Sequence, residues 1–138
     1  MRLHHTGVVV RDIKAHGEKC RSALGLSAKT GILHDPIQKV LVQFWGGEES
    51  DSLVELIEPT GENSPVWRAS RNGGGPEHLC YETTDIERMV KESLDKGAAL
   101  VQAIAPAVAF GGRRIAFVYF LELGLIEFLE AEYLEEAA

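Results

Sequence analysis

The chain has 138 residues, 45% of them hydrophobic and 25% charged, the size and balance of one compact domain that closes a core without disulfide or metal staples. A net charge of −7, with no basic run longer than Arg113-Arg114, excludes the electrostatic footprint of a nucleic-acid binder. No stretch approaches the roughly 20 apolar residues of a membrane-spanning helix, and the N-terminus has no basic segment leading into an apolar run, so a cytoplasmic protein is expected.

Residues 3 to 10 turn β-branched toward their end and predict a strand. Asp12 then offers an N-cap, apolar residues recur at Ile13, Cys20, Ala23 and Leu24, and Gly25 supplies a C-cap, which predicts a helix. A weaker strand is expected from Lys29 to Leu33. Two further strands, Val40 to Trp45 and Leu53 to Glu58, flank the polar turn Gly46 to Asp51 and complete a βαβββ unit. The stretch from Pro59 to Pro76, with Gly61, Pro65 and the run Gly73 to Gly75, is the expected linker and holds a short helix from Pro65 to Ser70. Beyond it come a strand from His78 to Thr83 and a helix capped by Asp85, with Ile86, Met89, Val90 and Leu94 on one face and Gly97 as its stop. Strands at 99–104, 114–120 and 124–131 follow, the first two joined by the loop Pro106 to Arg114. This divides the chain into module one (1–58), linker (59–76), module two (77–132) and an acidic tail (133–138). Cys20 and Cys80 fall in a helix and a strand and are expected as free buried thiols.

The two modules are copies. His5 and His78, and likewise Asp12 and Asp85, stand 73 positions apart, and Glu55 and Glu127 stand 72 apart. Side chains alternate along a strand, so each of these glutamates interrupts an otherwise apolar strand, where a carboxylate has to pair, protonate or bind a cation. Aligning the copies through Asp12 and Asp85 selects His5 over His4, which then faces the other way and is partly exposed. His16 on the helix and His34 in a loop are expected to be solvated or locally bonded. The set His5, Glu55, His78 and Glu127 suits one divalent ion, Zn, Ni, Co, Mn or Fe, because two imidazoles and two carboxylates do not choose among these metals.

With these residues the chain resembles the vicinal oxygen chelate superfamily, which holds glyoxalase I, methylmalonyl-CoA epimerase, extradiol dioxygenases and antibiotic-resistance proteins. The wording His5-Thr-Gly-Val-Val-Val, Glu55-Leu-Ile-Glu-Pro59, His78-Leu-Cys-Tyr-Glu-Thr-Thr-Asp-Ile86, Gly111-Gly-Arg-Arg-Ile-Ala-Phe117 and Leu125-Ile-Glu127 looks most like the epimerases. The resemblance implies an α+β fold, two paired βαβββ modules forming a cupped mixed sheet around the metal with helices outside, and a homodimer. It also implies proton abstraction beside a thioester or similar carbonyl such as that of an acyl-CoA, with Glu127 and Glu55 as catalytic carboxylates and Arg114, then Arg113, contacting an anionic part of the substrate. Two departures stand out. Val118 to Gly124 replaces the His-Pro-Lys type turn of those epimerases, and the strand Val40 to Phe44 lacks the extra glutamate that some of them carry, so the ligand carboxylates would have to supply the base. The alternatives are a glyoxalase I type lactoylglutathione lyase, a non-haem Fe(II) dioxygenase, against which Glu55 counts by filling a position such enzymes leave open, and a non-catalytic binding protein.

Overall fold

A computed structural model describes residues 1–48 and 52–132. In chain order its elements are β1 (Arg2–Val9), α1 (Ile13–Leu24), β2 (Ser27–Ala28), β3 (Leu33–Asp35), β4 (Val40–Gly46), β5 (Leu53–Pro59), α2 (Trp67–Arg71), β6 (Gly75–Thr83), α3 (Ile86–Asp95), β7 (Ala99–Pro106), β8 (Arg114–Phe120) and β9 (Gly124–Glu130), with a 3-10 turn over Val108–Phe110. The chain packs as two compact units. One is His5–Glu77, and the other is Met1–His4 together with the segment from His78.

In the first unit β1 lies parallel to β5, β5 antiparallel to β4, and β4 antiparallel to both β2 and β3. The parallel pairing needs a crossover, and α1 with the strands that follow it provides one. Asp12 caps α1 by accepting from the backbone N–H groups of Lys14 and Ala15, while Gly25, at φ 66°, closes it in the left-handed conformation. The helix buries Ile13 and Cys20 against Val10, Trp45 and Leu56, each at most 8% exposed. Val54 and Leu56 therefore look toward α1, which leaves Glu55 and Ile57 on the other face of β5.

The second unit repeats the plan. β6 lies parallel to β9, β9 antiparallel to β8, and β8 antiparallel to β7 across two register shifts. Asp85 caps α3 by accepting from the Arg88 N–H. Ile86 and Val90 pack against Ala116, Val118, Ile126 and Phe128, and on the opposite face Cys80, Ala107, Ile115 and Leu129 form a second apolar cluster. Glu127 belongs to that opposite face.

Three expectations move. The strand expected from Lys29 to Leu33 is split into β2 and β3 around residues 29–32, so His34 is a strand residue, still exposed, rather than a loop residue. β6 begins at Gly75, because a glycine at φ 105° extends the strand backward through a segment whose composition reads as a breaker. The short helix is shifted to Trp67–Arg71. Residues 49–51 of the expected turn and the tail 133–138 lie outside the described residues.

Gly74 shows how closely the first unit is packed: a Cβ there would stand 2.3 Å from the Val9 carbonyl oxygen, at φ 64°, whereas a Cβ on Gly25 would meet nothing within 4 Å. Gly25→Ala should therefore cost only the left-handed backbone penalty, about 1–2 kcal/mol. Gly74→Ala adds a backbone clash and should cost at least about 3 kcal/mol. Urea denaturation of both variants checks the order, and equal losses would contradict it.

Candidate functional site

Each unit holds one buried histidine–glutamate pair, built the same way. In the first, His5 (1% exposed) lies on β1 and Glu55 (6%) on β5, with Gly7 opposite Glu55 in the parallel register. His5 Nε2 is 3.3 Å from Glu55 Oε1. Phe44, the antiparallel partner of Glu55, meets the His5 ring edge-on at 5.3 Å between centroids. In the second unit His78 (5%) lies on β6 and Glu127 (4%) on β9, with Cys80 opposite Glu127. Here Nε2 is 3.1 Å from Oε1, and Phe117, the partner of Glu127, meets the His78 ring edge-on at 5.2 Å. Phe44 and Phe117 also stand 73 positions apart, so the aromatic support is part of the repeat.

The spacing within each pair bears on what the pair is for. A charge-assisted N–H···O bond usually measures about 2.7–2.9 Å, and both contacts are longer. Two donors that share an ion at about 2.1 Å stand roughly 3.0 Å apart at a right angle and roughly 3.4 Å apart at the tetrahedral angle. Both 3.1 and 3.3 Å fall in that interval. Each half-site thus has donor types, burial and spacing that fit co-ligation.

The neighbouring histidines sort as expected. His4 is half-buried and meets Phe110 edge-on at 5.5 Å. His16 is exposed, with Nδ1 3.0 Å from the Asp12 carbonyl. Both cysteines are buried thiols, and burial pushes the Cys20 thiol pKa up.

The two arginines part company. On β8, Phe117 and Ile115 share the Glu127 face, so the adjacent Arg114 looks toward α3. There it donates from Nε (3.1 Å) and Nη2 (2.6 Å) to Glu130 Oε2 and pairs with Glu87 Oε1 at 2.6 Å. Arg113 stays on the Glu127 side. It donates to the Glu130 carbonyl at 3.1 Å, lies 5.6 Å from the Phe110 ring centre, and is 3.7 Å from Glu82 Oε2. The sequence reading did not single out Glu82, which also pairs with Arg2; its lag of four residues behind His78 on one strand face is the signal that was there. Glu58, likewise passed over, turns to the helix side and accepts from the Ile13 N–H at 2.9 Å.

A profile of the glyoxalase/bleomycin resistance protein/dioxygenase superfamily matches residues 4–117. The chain belongs to this superfamily. It is 30% identical over 121 residues to an ethylmalonyl-CoA/methylmalonyl-CoA epimerase of Cereibacter sphaeroides, spanning 86% of this chain and 87% of that one. A variant of methylmalonyl-CoA epimerase from Streptomyces coelicolor, solved in complex with 2-nitronate-propionyl-CoA, is 26% identical with a TM-score of 0.81 over 96% of this chain and 99% of that chain. A hypothetical protein of Bacillus halodurans is 27% identical with a TM-score of 0.83, covering 98% of this chain and 97% of that chain. The α+β architecture of this superfamily member matches those neighbours, and its named relatives are epimerases.

Arg114 holds the Glu130 and Glu87 carboxyls below their ordinary range, chiefly through its hydrogen bonds to them. A lowered folded-state pKa stabilises the fold above the ordinary carboxyl pKa, and that contribution is lost as pH falls through the lowered value. Arg114→Gln should therefore lower the melting temperature by a few degrees at pH 7, with the gap to the parent closing as the medium is acidified below the ordinary carboxyl pKa of 4.5. A gap independent of pH would assign Arg114 a packing role instead.

Proposed function

We propose that the protein is a divalent-metal-dependent epimerase of a 2-alkylmalonyl-CoA thioester of the methylmalonyl-CoA class. The observation that carries this reading is the buried His–Glu pair repeated at equivalent positions, in a chain 30% identical to an ethylmalonyl-CoA/methylmalonyl-CoA epimerase. In this reading His5, Glu55, His78 and Glu127 hold one ion, each offering a single ligand atom from a buried side chain. Zn, Ni, Co, Mn and Fe all suit that donor set. When bound, the ion supplies Lewis-acid polarisation of the thioester carbonyl, so that negative charge developing at its oxygen is stabilised.

The chain's own residues handle the proton. The carbon to be inverted sits between a thioester and a carboxylate, and inversion requires removal of its proton from one face and delivery to the other. Glu127 takes or returns the proton on one face and Glu55 serves the opposite one. A carboxylate has two oxygens, so one can ligate while the other carries the proton. The base falls to this pair because β4 carries no carboxylate from Val40 to Phe44. Phe44 and Phe117 fix the two imidazole planes and keep water from the carboxylates beside them. A cytoplasmic homodimer completes the reading. Its dimer element is supported by the edge strand β7, which exposes Leu100 and Val101, and no helix among the described residues is long and apolar enough to cross a membrane.

The test is deuterium incorporation at C2 of methylmalonyl-CoA in heavy water, with metal-loaded protein, chelator-treated protein and Glu127→Gln. Exchange should require metal and fall by about 100-fold or more in the variant. Metal should also raise the melting temperature, by an amount that chelation reverses, because an ion that binds only the folded state stabilises it. Absence of exchange with every one of the five metals would overturn the assignment.

A further inference from the structure

We propose that the helix side of the second unit binds a single-chain amphipathic carboxylate of the medium-chain fatty acid class. The site lies on the face of β9 opposite Glu127, so it stands apart from the His–Glu pairs and does not depend on the epimerase reading. Cavity shape, a break in the repeat and charge each lead to it.

A cavity of about 480 Å³ is walled by Met89, Ser93 and Lys96 of the α3 end and, from the strands beneath, by Leu79, Ile126 and Phe128. Ile126 and Phe128 belong to the apolar cluster under α3, whereas Glu127 between them points the other way. Met1 and Leu123, 71% and 67% exposed, also line the cavity, so solvent reaches it at that end. Small-molecule sites usually measure about 300–1,000 Å³ and are mostly apolar with a few polar groups. Apolar space of this kind favours an apolar ligand over ordered water, which needs several polar partners.

The first unit shows why the second is less filled on this side. Phe44 corresponds to Phe117, so Trp45 corresponds to Val118. Trp45 is 2% exposed and packs with Ile13, Cys20 and Leu56, its indole so close to α1 that a Cβ on Gly17 would stand 2.7 Å from it. The residue after each helix stop differs too. Leu26 and Ala98 play the same backbone part, their N–H groups bonding to the Cys20 and Ser93 carbonyls, but Leu26 packs on the core where Ala98 brings only a methyl. Val90, in the place of Gly17, returns one isopropyl group. An indole and an isobutyl group are thus exchanged for two isopropyl groups and a methyl, a deficit that a close-packed interior registers as a void.

Charge selects the ligand. Arg88 and Lys91 of α3 are engaged with Glu92 and Asp95 at 2.9 and 3.0 Å. Lys96 lines the cavity, is exposed, and forms no ion pair among the described residues. Glu92 also lines the cavity, but Arg88 already meets its charge. Tyr81 in the wall adds a phenolic O–H donor. A single ammonium group at the rim of an apolar cavity matches a ligand with one hydrocarbon chain and one anionic end, and the flexible lysine stem lets that end stay in water while the chain is buried.

The two methionines of the chain, Met1 and Met89, both line the cavity, so NMR spectra of methyl-labelled methionine report on it directly. The probe is decanoate below its aggregation concentration, with chelator present so that a carboxylate cannot register by ligating an ion. Both methyl signals should shift saturably, and affinity should fall about two- to fourfold for each methylene removed in octanoate and hexanoate. Lys96→Ala should weaken decanoate binding about threefold to tenfold and leave decanol unaffected, with Lys96→Arg restoring most of the loss. Unmoved methyl signals, shifts that do not saturate, or equal decanoate affinity in Lys96→Ala would overturn the site. Methyl signals that depend on protein concentration and ignore decanoate would also overturn it, and would give this face to a second copy of the chain.

Discussion

A carboxylate buried in an apolar strand is the constraint around which both units are arranged. Glu55 and Glu127 are almost fully shielded from water, and an ion in that position costs several kcal/mol unless opposite charge or strong donors meet it. The imidazole beside each carboxylate offsets part of that cost. Parallel pairing of β1 with β5, and of β6 with β9, is what puts histidine and glutamate side by side, and the edge-on phenylalanines limit how far the imidazoles can turn.

The division of labour between sheet faces follows from strand pleating. On β5, Val54 and Leu56 serve the packing of α1 while Glu55 meets His5; on β9, Ile126 and Phe128 serve α3 while Glu127 meets His78. A single strand therefore carries helix packing on one side and the buried carboxylate on the other, and a one-residue slip of register would exchange the two. Glu58 and Glu130, at the ends of the same strands, show the structural use of a carboxylate: both look to the helix side, where one caps a backbone N–H and the other binds an arginine.

Much of this could be read from the residue order. The repeat, the aspartate caps of α1 and α3 and the His–Glu pairs were legible because each rests on spacing or on local chemistry that tertiary packing does not override. Ser27 and Ala28 pair with β4 although they are polar or small and exposed, so no alternation marks them. β6 starts in a glycine run because glycine at positive φ can enter a ladder as readily as it can break one. The roles of Arg113 and Arg114 depended on the phase of β8, since adjacent residues face opposite ways and only the pairing of Phe117 with Glu127 fixes which is which. Glu82 was hidden for a related reason: its neighbours in space, Arg2 and Arg113, are remote in sequence.

The same parallel pairings govern how the protein must come into being. His5 and Glu55 are 50 positions apart, and His78 and Glu127 are 49 apart; each pair closes only when the last strand of its unit docks beside the first. Contacts of such long range are formed late and slowly compared with helices and hairpins. During synthesis, a ribosome-bound chain that has exposed the first unit has one complete His–Glu pair, while the second still lacks its glutamate-bearing strand. The fourth carboxylate is thereby tied to the end of folding: a chain interrupted before β9 would carry His5, Glu55 and His78, three of the four residues proposed to hold the ion, and lack Glu127.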